Sequence, residues 1–282
     1  MPQDNTKRAR VLIDCQDSKG LVYLISKVFY DRGLNIDNNR EFVDKDSNKF
    51  FMRTVVSGDF IVDEIRDALV AILPTDATLQ IIEPKSKKIV IMATKESHCL
   101  GDILIRWVSG ELEANIEAVI SNHNDLRELT ERFGIPFIHI DTKDLTRREH
   151  EELVAKELEK FEFDYIVLAK YMRILSSDFV DLYSKRIINI HHSFLPAFIG
   201  ANPYKQAHQR GVKIIGATAH YVTSDLDEGP IISQDVISVN HRFEWRDMQK
   251  AGRDVEKIVL ARALSLVLND RVFVYGNKTV IF

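Results

Sequence analysis

The chain of 282 residues carries 38 basic and 42 acidic side chains, is 45% hydrophobic and 28% charged, and has two cysteines. This length supports two domains whose apolar cores need neither disulfides nor metal, and the formal net charge of −4 gives no general attraction to nucleic acid or to an acidic bilayer. Cys15 and Cys99 are too sparse for an extracellular disulfide framework, and neither the opening MPQDNTKRAR nor any later stretch has an apolar run of leader or membrane-spanning length, so a protein of the reducing cytoplasm is expected.

Hydrophobic periodicity changes in a regular order along the chain. Residues 10–15 read as a strand, and Leu21, Leu24, Ile25, Val28 and Phe29 share one face of a helix over 21–30. Strands follow at 35–43 and 49–56, a helix at 61–72 turns Ile61, Ile65, Ala68, Leu69 and Ile72 inward, and a strand closes the unit at 78–82. The order β-α-β-β-α-β is that of an α+β ferredoxin-like domain, with one sheet face under two helices. The polar segment Glu83-Pro84-Lys85-Ser86-Lys87-Lys88, whose proline disfavours a continuing helix, marks the boundary. The expected division is a domain at 8–84, a linker at 85–88 and a second domain at 89–282.

In the second domain, apolar strands at 89–93, 116–120, 137–140, 165–169, 187–190 and 213–222 alternate with helices at 99–108, 124–133, 147–161, 177–183 and 203–210. That alternation predicts a mostly parallel, Rossmann-like α/β sheet covered on both faces. A strand at 231–237, a long helix at 244–268, and a hairpin of 272–275 with 279–282 around Gly276-Asn277 follow.

The turn after the first strand of this domain, residues 93–102, holds a single glycine and the acidic Glu96. A dinucleotide or nucleoside-triphosphate site needs a glycine-dense turn there, so that phosphates approach backbone N–H groups. A G-x-S-x-G elbow is absent as well, which weakens a serine-hydrolase reading. His98 beside Cys99 at a helix start leaves open an activated thiolate or a buried, pocket-lining pair.

The sharpest local feature is Asn189-Ile190-His191-His192-Ser193-Phe194-Leu195-Pro196. Residues two apart on a strand face the same way, so Asn189 and His191 project together, opposite Ile188 and Ile190. An amide donor then stands beside a titratable imidazole at a strand end, where open α/β sheets form ligand crevices. Asn189 is either catalytic or the anchor of the following loop. Between two apolar strands, the stretch 223–230 carries Asp225, Asp227 and Glu228. A carboxylate entering the His191 crevice favours imidazolium and fixes its tautomer, but spacing does not say which acid enters.

Across residues 95–100, Ser121-Asn122-His123, Met172-Arg173-Ile174-Leu175, 189–196, 216–223 and 226–230, the chain resembles the formyltetrahydrofolate deformylases and, in its last blocks, the wider folate-dependent formyltransferases. By that resemblance Asn189 and His191 form the Asn-x-His pair, and Asp227, seven residues after His220, completes a catalytic trio. The resemblance implies hydrolysis of 10-formyltetrahydrofolate by water to formate, available for purine synthesis, and tetrahydrofolate. Met172, Arg173, Ile174 and Leu175 line the pterin slot, and His98 and Cys99 also meet the substrate. The folate is substrate and not cofactor, and the linear spacing of the histidines and cysteines lacks a zinc motif, so no metal is expected. The amino-terminal unit resembles an ACT domain, which implies a small amino-acid effector near Asp17, Gly20, Leu21 and Asn35 and assembly into a homo-oligomer; Gln16 replaces a proline common in such loops.

On this reading Asp227 positions water and His191, His191 moves the proton, and Asn189 donates to the developing oxyanion. Two alternatives stand beside it. The same trio can transfer the formyl group to an amine, although Lys95-Glu96-Ser97-His98-Cys99-Leu100 departs from the glycine-rich loop with which the resembling transferases hold a phosphorylated acceptor. A non-catalytic amino-acid-sensing protein is the other.

Overall fold

The computed structural model describes residues 6–197 and 203–282; residues 1–5, part of the opening segment read for a leader, lie outside them. Two compact units are present, Met1–Lys85 with Phe282, and Ser86–Ile281.

The first unit runs β1 (Lys7–Gln16), α1 (Leu21–Asp31), β2 (Asn35–Asp44), β3 (Lys49–Gly58), α2 (Val62–Val70) and β4 (Thr78–Ile82). Its four strands are ordered β2-β3-β1-β4 and pair antiparallel, which is the ferredoxin-like topology. Alternate residues Ala9, Val11, Ile13 and Cys15 of β1 and Phe50, Met52 and Val56 of β3 pack under Leu21, Ile25, Val28 and Phe29 of α1 and Ile65 and Leu69 of α2. Leu24 and Ile61, expected to face inward, are exposed. Ile61 is the residue before α2 and has extended backbone, so the helical face does not extend to it. Gly20 precedes α1 at φ 93, a left-handed conformation that glycine adopts without a Cβ clash.

The second unit begins with β5 (Lys87–Ala93), α3 (Ser97–Val108), β6 (Ala114–Ser121), α4 (Arg127–Glu131) and β7 (Phe137–His139). It continues through α5 (Arg147–Leu158), β8 (Tyr165–Leu168), α6 (Ser177–Leu182), β9 (Ile187–His191), α7 (Pro203–Arg210) and β10 (Ile214–Tyr221). It closes with β11 (Ile231–Ser238), α8 (Trp245–Leu268) and the hairpin β12 (Val272–Tyr275) and β13 (Lys278–Ile281). Lys87 and Lys88 already belong to β5, so the polar connection is shorter than the expected linker at 85–88. Lys87 is drawn into the strand by a buried ion pair with Asp270, 3.2 Å apart.

The main sheet is ordered β11-β10-β9-β8-β5-β6-β7. The five strands from β9 to β7 are parallel, while β10 and β11 run antiparallel. β10 was expected to continue the alternation; periodicity carries no strand direction. β5 is buried on both faces, as a central parallel strand must be. Ile89, Ile91 and Ala93 meet α3 and α8 on one side, and Val90 and Met92 meet α5 and α6 on the other. The order reverses at β5 and β8, so a crevice opens beyond their carboxyl ends. Helix α5 starts with a capping box in which Thr146 and Glu149 satisfy each other's backbone N–H groups. Among the described residues no helix is long and apolar enough to cross a membrane.

Candidate active site

Strand β9 sends Ile188 and Ile190 into the core beneath α3 and α8, which leaves Asn189 and His191 on its other face, lining one cavity. β10 pairs antiparallel with β9 and sets His220 opposite Asn189. The His220 Nδ1 lies 2.9 Å from the Tyr221 carbonyl oxygen, and its Nε2 lies 3.2 Å from the Asn189 side-chain nitrogen. A carbonyl only accepts, so Nδ1 carries the hydrogen and Nε2 accepts from the Asn189 amide. Burial lowers the His220 pKa, in keeping with a neutral ring. Asn189 is thereby held by one N–H and keeps a second for the cavity.

The loop after β10 brings back a single acid. Asp225 and Glu228 are exposed, whereas Asp227 turns inward and its Oδ1 lies 3.2 Å from His191 Nδ1 and 3.8 Å from His220 Nε2. Asp227 adopts φ 58, a left-handed conformation that Asp tolerates better than most side chains. The loop then presses on β10 at Gly229, where a Cβ would collide with the Tyr221 carbonyl, and the Tyr221 N–H donates to Pro230 O at 2.9 Å. Burial raises the Asp227 pKa, but the hydrogen bond and charge of His191, joined by His220 and His192, hold it below its ordinary value. With Asp227 on Nδ1, the buried Nε2 of His191 has no protein partner among the described residues. His192 stacks on His191 with ring centroids 5.0 Å apart. Burial and the charge of Lys170 push its pKa down to about 4, so it is neutral near pH 7.

The cavity has a volume of about 480 Å³ and runs from this trio to the loop after β8. Met172, Arg173, Ile174 and Leu175 all line it. Exposed Met172 and Ile174 give an apolar wall suited to a flat ring system. Both ends of the loop are pinned. The Met172 N–H donates to Thr94 Oγ1 at 3.0 Å, and the Ser176 N–H donates to Glu151 Oε1 at 2.9 Å while its hydroxyl meets Oε2 of the same carboxylate.

His98 and Cys99, expected at the substrate, do not line this cavity. They sit on the first turn of α3 and turn toward α8, where Cys99 joins the core and burial raises its thiol pKa well above the ordinary value, against an activated thiolate. His98 Nε2 lies 2.7 Å from Glu256 Oε2. Ligand atoms of His98, Cys99 and Glu256 lie within 4.8 Å of one another, but the carboxylate already serves His98, Tyr204 and Lys170. Glu256 is thus the hub of a buried hydrogen-bonded and ion-paired cluster. Burial would raise the Glu256 pKa, yet its His98 hydrogen bond, the Lys170 charge and the Tyr204 hydroxyl lower it to about 2.

The residues expected to meet an effector do not converge within one chain. Asp17, Gly20 and Leu21 follow the end of β1 that pairs with Lys49, whereas Asn35 pairs with Ser57 at the other end of β3. Eight residues of strand separate these ends by about 26 Å, at about 3.3 Å per residue. The reason is α1, which carries the chain back along the sheet.

No local pattern marks His220, Lys170 or Tyr204 for a role in this site. Glu256 had a signal, since it falls within the buried stripe of α8 beside Val255, Val259 and Leu260, where an acid needs a partner.

A family model described as formyl transferase matches residues 87–264. Formyltetrahydrofolate deformylase from Haemophilus influenzae is 54% identical over 271 residues, covering 96% of this chain and 98% of that one. The chain belongs to the formyltetrahydrofolate deformylase family. Its similarity extends to the whole fold: the crystal structure of a formyltetrahydrofolate deformylase from Pseudomonas syringae pv. tomato, 42% identical, matches with a TM-score of 0.94 over 100% of this chain and 96% of that one. Beyond the deformylases, a glycinamide ribonucleotide transformylase from Symbiobacterium toebii is 28% identical with a TM-score of 0.68, covering 72% of this chain and 98% of that one.

Proposed function

We propose that the chain hydrolyses 10-formyltetrahydrofolate to formate and tetrahydrofolate, with Asn189, His191 and Asp227 as the catalytic residues. The observation that carries this is an imidazole with Asp227 on Nδ1 and a free Nε2, beside an amide whose orientation is fixed, at one end of an apolar cavity. A carboxylate on Nδ1 selects the tautomer whose Nε2 can take a proton.

Water adds to the formyl carbon and gives one proton to His191 Nε2. The carbonyl π electrons move onto oxygen, and the second Asn189 N–H donates to that oxyanion. The imidazolium, stabilised by Asp227, returns the proton to the folate nitrogen as the C–N bond breaks. The products are tetrahydrofolate and formic acid, which loses its proton to solvent. The apolar loop 172–175 takes the pterin, and half-buried Arg173 meets the anionic glutamate tail at the rim.

For the amino-terminal unit, the ACT-like resemblance supports a small amino-acid effector at the Asp17, Gly20 and Leu21 loop and assembly into a homo-oligomer. Purified protein supplied with 10-formyltetrahydrofolate is expected to release formate and tetrahydrofolate in equal amounts. Binding of an amino acid with no formate produced would favour the sensing protein instead.

A further inference from the structure

A second cavity of about 160 Å³ adjoins the catalytic one, and the two share Lys170, Met172 and His192 as a wall. The wall is buried at Lys170, which is 4% exposed, whereas Lys205 and Arg253 on the other sides are exposed. The cavity therefore runs from the wall beside the trio toward the surface, with cations at both ends. At about 30 Å³ per water, it has room for an ion of a few non-hydrogen atoms.

Three cations line this space, and two carboxylates, Glu96 and Glu256, oppose them. Both carboxylates are already engaged. Glu256 Oε2 lies 2.7 Å from His98 Nε2 and 3.3 Å from Lys170 Nζ, while its Oε1 accepts from the Tyr204 hydroxyl at 2.7 Å. Glu96 Oε2 lies 3.4 Å from both His98 Nδ1 and Arg253 Nε. Among the described residues no carboxylate pairs with Lys205, whose ammonium stands over the Trp245 ring, 5.3 Å from its centroid. One positive charge is left over, and Lys170 and Arg253 keep N–H donors beyond their ion pairs.

The inner cation is held in place by the backbone as well as by its partner. Lys170 adopts φ 63, a left-handed conformation that is costly for a lysine and persists where the surrounding structure fixes it. That turn and the Glu256 pair keep an ammonium at the boundary between the two cavities.

Hydrolysis converts a neutral formyl group into a carboxylate beside Asp227, whose own charge repels it. Tetrahydrofolate, while bound, fills the larger cavity and blocks that way out. The smaller cavity offers a small anion a route lined by opposite charge.

We propose that the second cavity is a binding and exit site for formate, which enters it past Lys170 and leaves between Lys205 and Arg253 while tetrahydrofolate is still bound. The inference rests on the deformylase reading and concerns where the anionic product of that reaction goes.

The test is formate binding to the product complex. Carbon-13 formate is titrated into the full chain saturated with tetrahydrofolate under argon, and its NMR line width reports binding. Saturable binding is expected, with acetate displacing formate and methylammonium, a cation of similar size, failing to do so. Lys205 is exposed and does not line the catalytic cavity, so its variants are expected to keep kcat/KM for 10-formyltetrahydrofolate within about twofold of wild type. Formate affinity for the complex is expected to fall about threefold in Lys205→Met, which removes one exposed charge, and about tenfold in Lys205→Glu, which reverses it. Absence of saturable binding to the wild-type complex, displacement by methylammonium, or unchanged affinity in both variants overturns the inference, and leaves the deformylase reading standing as long as wild type still produces formate. Absence of formate production by wild type overturns that reading instead.

Discussion

Replacing Asn189 by alanine removes two interactions of different worth. One is the hydrogen bond to His220 Nε2 at 3.2 Å, a contact in a half-buried setting that contributes about 1 kcal/mol. A domain stability of about 5–15 kcal/mol absorbs that loss, so the variant is expected to fold. The other is the second amide N–H, the proposed oxyanion donor, and loss of one such donor costs about 3–4 kcal/mol at the transition state, or a factor of about 10² to 10³ in kcat. If the folate binds mainly against the loop 172–175 that lines the cavity, as proposed, KM is expected to stay within about threefold. Asn189→Asp sharpens the test. It is nearly isosteric, but it faces an Nε2 that accepts, and it sets a negative charge against the oxyanion, so its kcat is expected to be no higher than that of Asn189→Ala. Initial rates of formate release, with circular dichroism and thermal melting as controls for folding, measure both variants. A kcat for Asn189→Ala within tenfold of wild type, or an Asn189→Asp variant as fast as wild type, refutes the oxyanion role.

Other expectations follow from the same geometry. His191 keeps the Asp227 pKa below its ordinary value, so the carboxylate stays ionised from pH 5 to 8; Asp227→Asn is expected to lose at least a hundredfold in kcat across that window, checked by a pH–rate profile. The Glu256 pKa falls from 4.5 to about 2 on folding, so its contribution, about 3 kcal/mol, is present above pH 4.5 and is lost as pH falls toward 2. Melting curves are expected to show wild type losing more stability than Glu256→Gln over that interval. Glu151 holds the far end of the loop 172–175 through the Ser176 N–H at 2.9 Å; if that loop binds the folate as proposed, Glu151→Ala is expected to raise KM about five- to tenfold with kcat changed less than twofold.

The ferredoxin-like unit was legible because its strands bury one face. Ala9, Val11, Ile13 and Cys15 recur every second residue, and that period defines a strand without tertiary information. The Asn189 and His191 pairing follows from the same period. Asp227 was not separable from Asp225 and Glu228 by spacing; what selects it is the left-handed turn at Asp227 and the close approach of Gly229 to β10. The role of His220 depends on the register of β10 against β9, and the direction of β10 is invisible to periodicity. His98 looked like a site residue because it stands beside Cys99 at a helix start, in a block that carries the family resemblance. Its helical position turns it to Glu256, 158 residues away in sequence, a contact that no local pattern encodes.

With water as the nucleophile, directed by Asn189, His191 and Asp227 as proposed, one formate oxygen must come from solvent. A single turnover of 10-formyltetrahydrofolate in oxygen-18 water tests this most directly, with wild type and Asp227→Asn compared at equal enzyme excess. The expected product is formate carrying one solvent oxygen, formed in step with tetrahydrofolate and at least a hundredfold more slowly in the variant. Formate without solvent oxygen, or an undiminished rate in Asp227→Asn, would contradict it.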